Sequence, residues 1–243
     1  MLPFQNEILW FILLITSFTG TTIAYRLFGR TGLYAWTAMA IILANVQVMK
    51  TIEFFGLVTA MGNIVYGTTF LVTDILCENY GRREARRAVE IGFFTLIVFT
   101  LLMQICLAFI PDESDTLSPA LEQIFGIMPR ITIASLTAYI VSQLHDVWAF
   151  DFWKRKTRGR HLWLRNNAST MVSQLIDNAV FTWIAFVGFG IFWEQVFPWE
   201  IIAEIFVTSY IMKFVVAALD TPFVYLATKV RREANDREIV KYV

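Results

Sequence analysis

Apolar residues along this chain run in long blocks, each closed by a short polar cluster, instead of the period-2 or period-3.6 stripes of a soluble fold. The blocks cover roughly 7–27, 32–50, 62–80, 88–110, 130–151, 167–193 and 200–228 and predict seven helices. Each is near the ~20 residues that carry a helix across a hydrocarbon core. Between the second and third blocks, TIEFFGLVTAMG holds two glycines and several β-branched residues, which predicts a bent or hairpin connection, partly re-entrant. Gly81 predicts a C-cap for the third helix. PDESDTLSP predicts an acidic, proline-bounded loop, and Pro222 a kink or local opening in the last helix. The fold class that follows is all-α: a polytopic membrane helix bundle of about seven transmembrane helices, in a single integral membrane domain over 1–243.

Composition supports this. Hydrophobic residues make up 57% and charged residues 16%, against about a quarter charged in soluble domains. Formal net charge is zero, so the total says nothing about partners, but its distribution does. Basic residues gather at Arg26 and Arg30, at Arg82, Arg83, Arg86 and Arg87, in KRKTRGR and Arg165, and at Lys229, Arg231, Arg232, Arg237 and Lys241. The alternate connections are acidic: Glu53, then Asp112, Glu113 and Asp115, then Glu194 and Glu200. The positive-inside rule then places the N-terminus outside and the C-terminus in the cytoplasm, with 229–243 a cytoplasmic basic tail. Removing any one span destroys the alternation. Trp10, Trp36, Trp153, Trp163, Trp193 and Trp199 lie near helix ends, as interfacial aromatics do. MLPFQNE lacks a basic n-region and leads into a long apolar run, which predicts a retained span, not a cleaved signal. Cys77 and Cys106 form no C-x-x-C or Cys/His cluster, so neither a zinc site nor another metal site is expected.

Against this background the polar residues inside the spans are costly. Asp74, Asp146, Asp177 and Asp220 all fall in apolar blocks, as does Lys213. Each charge at a helix centre costs about 2.5–3.5 kcal/mol on insertion scales, so four unpaired aspartates approach about 10 kcal/mol. Their spacing points to one interior. Thr170, Ser173, Gln174 and Asp177 follow i, i+3, i+4, i+7, and Ser135, Tyr139, Ser142 and Asp146 form a similar stripe with Gln143 beside it. Asn63, Tyr66, Thr73, Asp74, Cys77 and Glu78 lie along one side of the third helix, and Asn45 in the inner part of the second. Two of the stripes share a word: VSQLHDVWAF at 141–150 and VSQLIDNAVF at 172–181. On antiparallel helices these become two walls of one pocket at different depths, Asp146 nearer the cytoplasm and Asp177 nearer the midplane. A hydrogen-bond network that only glues the bundle is the alternative, although Ser or Asn would serve for that. Asp220 has Lys213 two turns away as a ready partner, Glu78 suits a boundary position near Arg82, and His145 suits a proton relay or a plain wall. Carboxylates and carboxamides in one pocket fit a flat, donor-rich heterocycle such as a guanine-like ring, with Phe and Tyr to stack on it. An organic cation fits the carboxylates as well.

Several stretches carry a resemblance: ILANVQVMK, GNIVYGTTFLVTDILCENYGRREARRAV, YIVSQLHDVWAFDFWK, LWLRNNASTMVSQLIDNAVFTWIAF and YIMKF. Together, over about residues 40–225, they resemble the bacterial queuosine precursor transporter family, also catalogued as a vitamin uptake transporter family. The resemblance implies import of 7-cyano-7-deazaguanine, its aminomethyl relative or queuine for tRNA modification, across the bacterial cytoplasmic (inner) membrane. It places Asn45, Asp74, Gln143, Asp146, Gln174, Asp177 and Lys213 in a polar core that binds substrate, and makes 1–30 an N-terminal extension helix. It implies no catalytic residue, no cofactor and no nucleic-acid partner. The expected partners are a purine-like small molecule and the bilayer, with a homo-oligomer left open. Two other readings stand beside it. A substrate-capture subunit would depend on a separate ATPase module, since no nucleotide-binding loop is present here. An intramembrane aspartyl protease would need two facing aspartates, usually with a G-x-G-D element, and GFG at 188–190 is followed by no Asp.

Overall fold

The computed structural model describes residues 4–48, 50–126, 128–188, 195 and 198–241. The first helix, α1 (Gln5–Gln47), is broken at Gly29, where φ 61° and ψ −142° leave the helical region. Only a residue without Cβ adopts that conformation readily. The chain folds back there: a Cβ on Gly20 would stand 2.6 Å from the Trp36 ring, and one on Gly32 would stand 2.2 Å from the Ala24 carbonyl oxygen. A straight helix of this length would run about 65 Å, twice a hydrocarbon core; folding back gives two legs of about 36 and 27 Å. The first two expected helices are these legs.

A β-hairpin follows, β1 (Thr51–Phe54) paired antiparallel with β2 (Leu57–Ala60). This is the connection that TIEFFGLVTAMG predicts. Asn6 donates to the Glu53 carbonyl at 2.9 Å and the Phe55 N–H donates to Glu7 at 3.0 Å, so the hairpin and the start of α1 share one end of the bundle. Then come α2 (Asn63–Tyr80), α3 (Arg82–Leu107), α4 (Ser118–Phe125), α5 (Met128–Lys156), α6 (Leu162–Thr182) with a π turn at Trp183–Val187, and α7 (Trp199–Lys241). Gly81 caps α2, its N–H bonding the Leu76 and Cys77 carbonyls. The expected end of the sixth helix at 193 lies outside the described residues. The α7 backbone stays helical through Pro222 and beyond the expected end at 228.

The central helix is α2, buried from Ile64 to Cys77 except at Tyr66. A helix walled by other helices needs no lipid-facing grease, and this one carries Thr68, Thr69, Thr73 and Asp74. It meets α7 closely: a Cβ on Gly67 would lie 2.5 Å from Val216 Cγ1. Its own Phe70, Leu71, Ile75 and Leu76 are fully buried, as is Phe150 of α5, whereas Phe94, Leu101 and Ile105 of the outlying α3 face outward, as a lipid-facing surface does. Among the described residues four helices are long and apolar enough to cross a membrane: Gln5–Gln47, Arg82–Leu107, Leu162–Val187 and Ile202–Val230. A fifth is counted if the bent pair Ser118–Phe125 and Pro129–Lys156 is one span.

Ion pairs tie the basic connections together at the end opposite the β-hairpin. Arg30 reaches Glu84 at 3.4 Å across the α1 turn, and Arg87 reaches it at 2.8 Å. Lys154 and Arg165, from either side of the α5–α6 connection, both pair with Glu78 near the end of α2.

Candidate functional site

In the hairpin-side half of the bundle, α1, α2, α5, α6 and α7 enclose a cleft with ≈ 70 Å³ accessible to the centre of a water molecule. Its polar lining includes Asn45, Tyr66, Asp177 and Lys213; Ala138 and Phe181 contribute apolar surface, and Met61 and Gly62 close it beneath the hairpin. Asp177 is the hub. Its Oδ2 accepts from Lys213 Nζ at 2.5 Å, and its Oδ1 accepts from the Tyr66 hydroxyl at 2.5 Å and from Ser142 at 3.1 Å. The Lys213 ammonium also lies 5.7 Å from the Tyr66 ring centroid. The side chains of the pair are 8% and 5% exposed, so the charges compensate each other in a place where either alone would be expensive. Asn45, on the cleft wall, donates its side-chain amide to the Ile41 carbonyl at 2.8 Å.

Deeper, on the basic side, lies a second polar group. Asp74 and Asp146 are both fully buried, on α2 and α5. Thr170 donates to Asp74 at 3.2 Å, and the Thr73 hydroxyl stands 3.5 Å from Asp146 and 3.3 Å from Gln143 Oε1. Gln143 donates to Thr69 at 2.7 Å. Asp220 accepts from Asn166 at 2.6 Å. The open question of Lys213 is thereby answered: its partner is Asp177, across the α6–α7 contact, and not Asp220 on its own helix.

The two VSQLxD words now have a geometry. They sit on α5 and α6, antiparallel neighbours: Ser142 of the first word donates to Asp177 of the second at 3.1 Å, whereas Ser173 of the second donates to the Ser169 carbonyl of its own helix at 2.9 Å. His145 Nδ1 shares Ser173 at 2.9 Å.

The basic end is closed. Arg165, 1% exposed, pairs with Glu78 at 2.6 Å and lies 5.6 Å from the Phe150 ring centroid. Lys154 adds bonds to the Cys77 and Glu78 carbonyls at 3.0 and 2.7 Å. Glu78 is thus held by α5 and α6, not by Arg82 as its sequence neighbourhood suggests.

Of the seven residues named from sequence, Asn45, Asp177 and Lys213 line the cleft, while Asp74, Gln143, Asp146 and Gln174 stand behind it and are 0–1% exposed. Tyr66, whose bond to Asp177 matches that of Lys213 at 2.5 Å, is not among the seven, although it lies on the polar stripe of its helix. Its position on the α2 stripe with Asn63 was the available signal. Arg165 was read only as loop charge, and nothing in the sequence distinguishes it from its exposed neighbours.

A bundle of apolar helices around a buried, charge-paired cleft is the architecture of a multi-pass membrane protein. Residues 60–227 match the family described as "Putative vitamin uptake transporter", and the chain belongs to it. It is 43% identical over 225 residues to the "Probable queuosine precursor transporter" of Bacillus subtilis, covering 92% of this chain and 95% of that one. It is 29% identical over 143 residues to the "Queuosine precursor transporter" of Escherichia coli, covering 59% and 62% of the two chains. A third relative of the same kind, from Haemophilus influenzae, is 26% identical over 132 residues, or 54% of each chain. No solved structure matches the chain.

Proposed function

We propose that this protein imports queuosine precursors, 7-deazapurines with a guanine-like edge, across the bacterial cytoplasmic membrane by opening the Asp177–Lys213 cleft alternately to either side. The observation that carries the reading is the pairing of a carboxylate with an ammonium on one cleft wall. A guanine edge presents a carbonyl acceptor beside a ring N–H and an exocyclic amino donor. Lys213 answers the carbonyl and Asp177 the two N–H groups, so an entering ring replaces the Lys213–Asp177 and Tyr66–Asp177 bonds with its own. Tyr66 and Phe181 offer faces for stacking. Asp74, Gln143, Asp146 and Gln174 act from behind the cleft. A seven-span arrangement, N-terminus outside and C-terminus in the cytoplasm, accords with the two legs of α1 and with the basic connections gathered at one end. In that arrangement the cleft lies in the outer half and the Glu78–Arg165–Lys154 cluster forms the inner seal.

The test is uptake of labelled 7-cyano-7-deazaguanine into liposomes holding this chain alone, with guanine and queuine as competitors. Uptake is expected from the wild type and should be lost in Asp177→Asn. Undiminished uptake by a normally inserted Asp177→Asn protein removes Asp177 from the site. Binding without uptake would favour a capture subunit that needs an ATPase partner.

A further inference from the structure

We infer that Asp74 and Asp146 form a proton-binding site, distinct from the substrate cleft, and that they share a single proton in the state described. The inference rests on the transport reading for its consequence but on local geometry for the site itself. Asp146, from the facing helix, stands against Thr73, the chain neighbour of Asp74, and both carboxyl groups are 0% exposed. Two carboxylates have only acceptors to offer, so a bond between them requires a proton on one. The outer oxygens are already used: Thr170 donates to Asp74 Oδ2, and Thr73 stands against Asp146 Oδ2. The remaining oxygens, Asp74 Oδ1 and Asp146 Oδ1, have no donor.

A second, neutral group points the same way. Asn166 is 0% exposed, and its amide is seated on Asp220 through Nδ2, yet its own Oδ1 finds no donor; neither does Gln174 Oε1, on the same helix and 1% exposed. The region is rich in acceptors and short of donors, and a proton on a carboxyl turns an acceptor into a donor. Among the described residues no cation makes up the deficit. Lys213 is held by Asp177, and Lys154 and Arg165 are held by Glu78. Among the described residues no ion pair reaches Asp74, Asp146 or Asp220, and no group of three His, Cys, Asp or Glu side chains is disposed to hold a metal ion. The other titratable groups around the pair are Cys77 on α2, His145 and Asp151 on α5, and Asp220 on α7. On α6 the nearest charged groups are Asp177 and Arg165, both engaged.

The Ser142–Asp177 bond joins this site to the cleft. Ser142 sits one turn before Asp146 on α5, and Ser173, 2.9 Å from the ring of His145 next to Asp146 in the chain, sits one turn before Asp177 on α6. Moving α5 against α6 to release substrate disturbs both carboxylates together. One proton then enters from the cleft side with each substrate and leaves on the cytoplasmic side, giving symport of one proton per ring.

The full chain in liposomes tests this with a pH gradient, acid outside, and labelled 7-cyano-7-deazaguanine. Wild type should accumulate substrate, and a protonophore should abolish the accumulation. Asp74→Asn and Asp146→Asn, inserted at wild-type levels, should lose gradient-driven accumulation at least tenfold. Independently of transport, the wild type should show the infrared C=O stretch of one protonated, fully buried carboxyl at neutral pH, absent in both variants. Accumulation indifferent to the pH gradient, accumulation driven by a sodium gradient instead, variants that accumulate normally, or no such infrared band would each overturn the proposal. A wild type that exchanges no substrate at all sinks the transport reading, while the infrared band still decides the proton site.

Discussion

Replacing Lys213 with Met probes the cleft most directly. The Lys213–Asp177 contact is 2.5 Å with both side chains under a tenth exposed. At an effective dielectric of 20 that separation corresponds to about 6–7 kcal/mol of gross attraction. Desolvation of the two ions consumes much of it, so the pair itself contributes little net stability. The single substitution is different, because it removes the attraction and leaves Asp177 desolvated. Tyr66 and Ser142 still donate to Oδ1, which softens the loss. The expected cost is about 3–5 kcal/mol, as for other broken buried pairs. Asp177→Asn with Lys213→Met removes both charges, keeps the shape, and should return to within about 1.5 kcal/mol of wild type. Thermal unfolding in detergent reads the stability of the three variants, and uptake should be absent in all of them. An unchanged melting temperature for Lys213→Met, or a double variant as unstable as the sum of the singles, refutes the reasoning.

Other outcomes follow from separate contacts. Glu78→Gln strands Arg165, which is 1% exposed, and should cost about 3–5 kcal/mol in the same unfolding assay. Ser142→Ala should cost about 1 kcal/mol in wild type and close to nothing in an Asp177→Ala background, since its cross-helix bond goes to Asp177; equal costs in both would deny that bond. Gly67→Ala drives a methyl into Val216 and should cost about 1–3 kcal/mol, recovered in part by Val216→Ala; an innocuous Gly67→Ala would mean that α2 and α7 do not pack as described. For orientation, a cysteine in place of Glu113 should react with an impermeant thiol reagent on intact cells, and one in place of Arg158 only after permeabilisation; the reverse pattern inverts the topology.

Much of the architecture was readable before any coordinates. Gly81 as a cap and 51–62 as a hairpin follow from local backbone chemistry, and both are found. The first two blocks appear as the legs of α1, although nothing in the pattern identified Gly29 as the residue that makes the turn. The short α4 within 111–127 was not foreseen, because eight residues carry too few turns to show a period. Among site residues, the helical stripes placed Asp146 and Asp177 on the interior correctly as buried groups, but periodicity could not say that one lines the cleft and the other stands behind it. Nor could it choose between Asp177 and Asp220 for Lys213.

The division has a physical reason. Insertion into a bilayer tests each segment nearly on its own, by apolar length and flanking charge, so spans and the sharing out of basic residues are written in one dimension. The sequence alone therefore determined that this is a bundle of membrane helices with carboxylates turned inward. Which carboxylate meets which hydroxyl or ammonium depends on the rotation and depth of each helix against its neighbours. Those are decided by packing, as where Gly67 admits Val216, and packing exists only in the folded chain. Tertiary structure alone made Asp177 the hub of the cleft, brought Asp146 against Thr73 next to Asp74, and joined the two VSQLxD words through the Ser142–Asp177 bond.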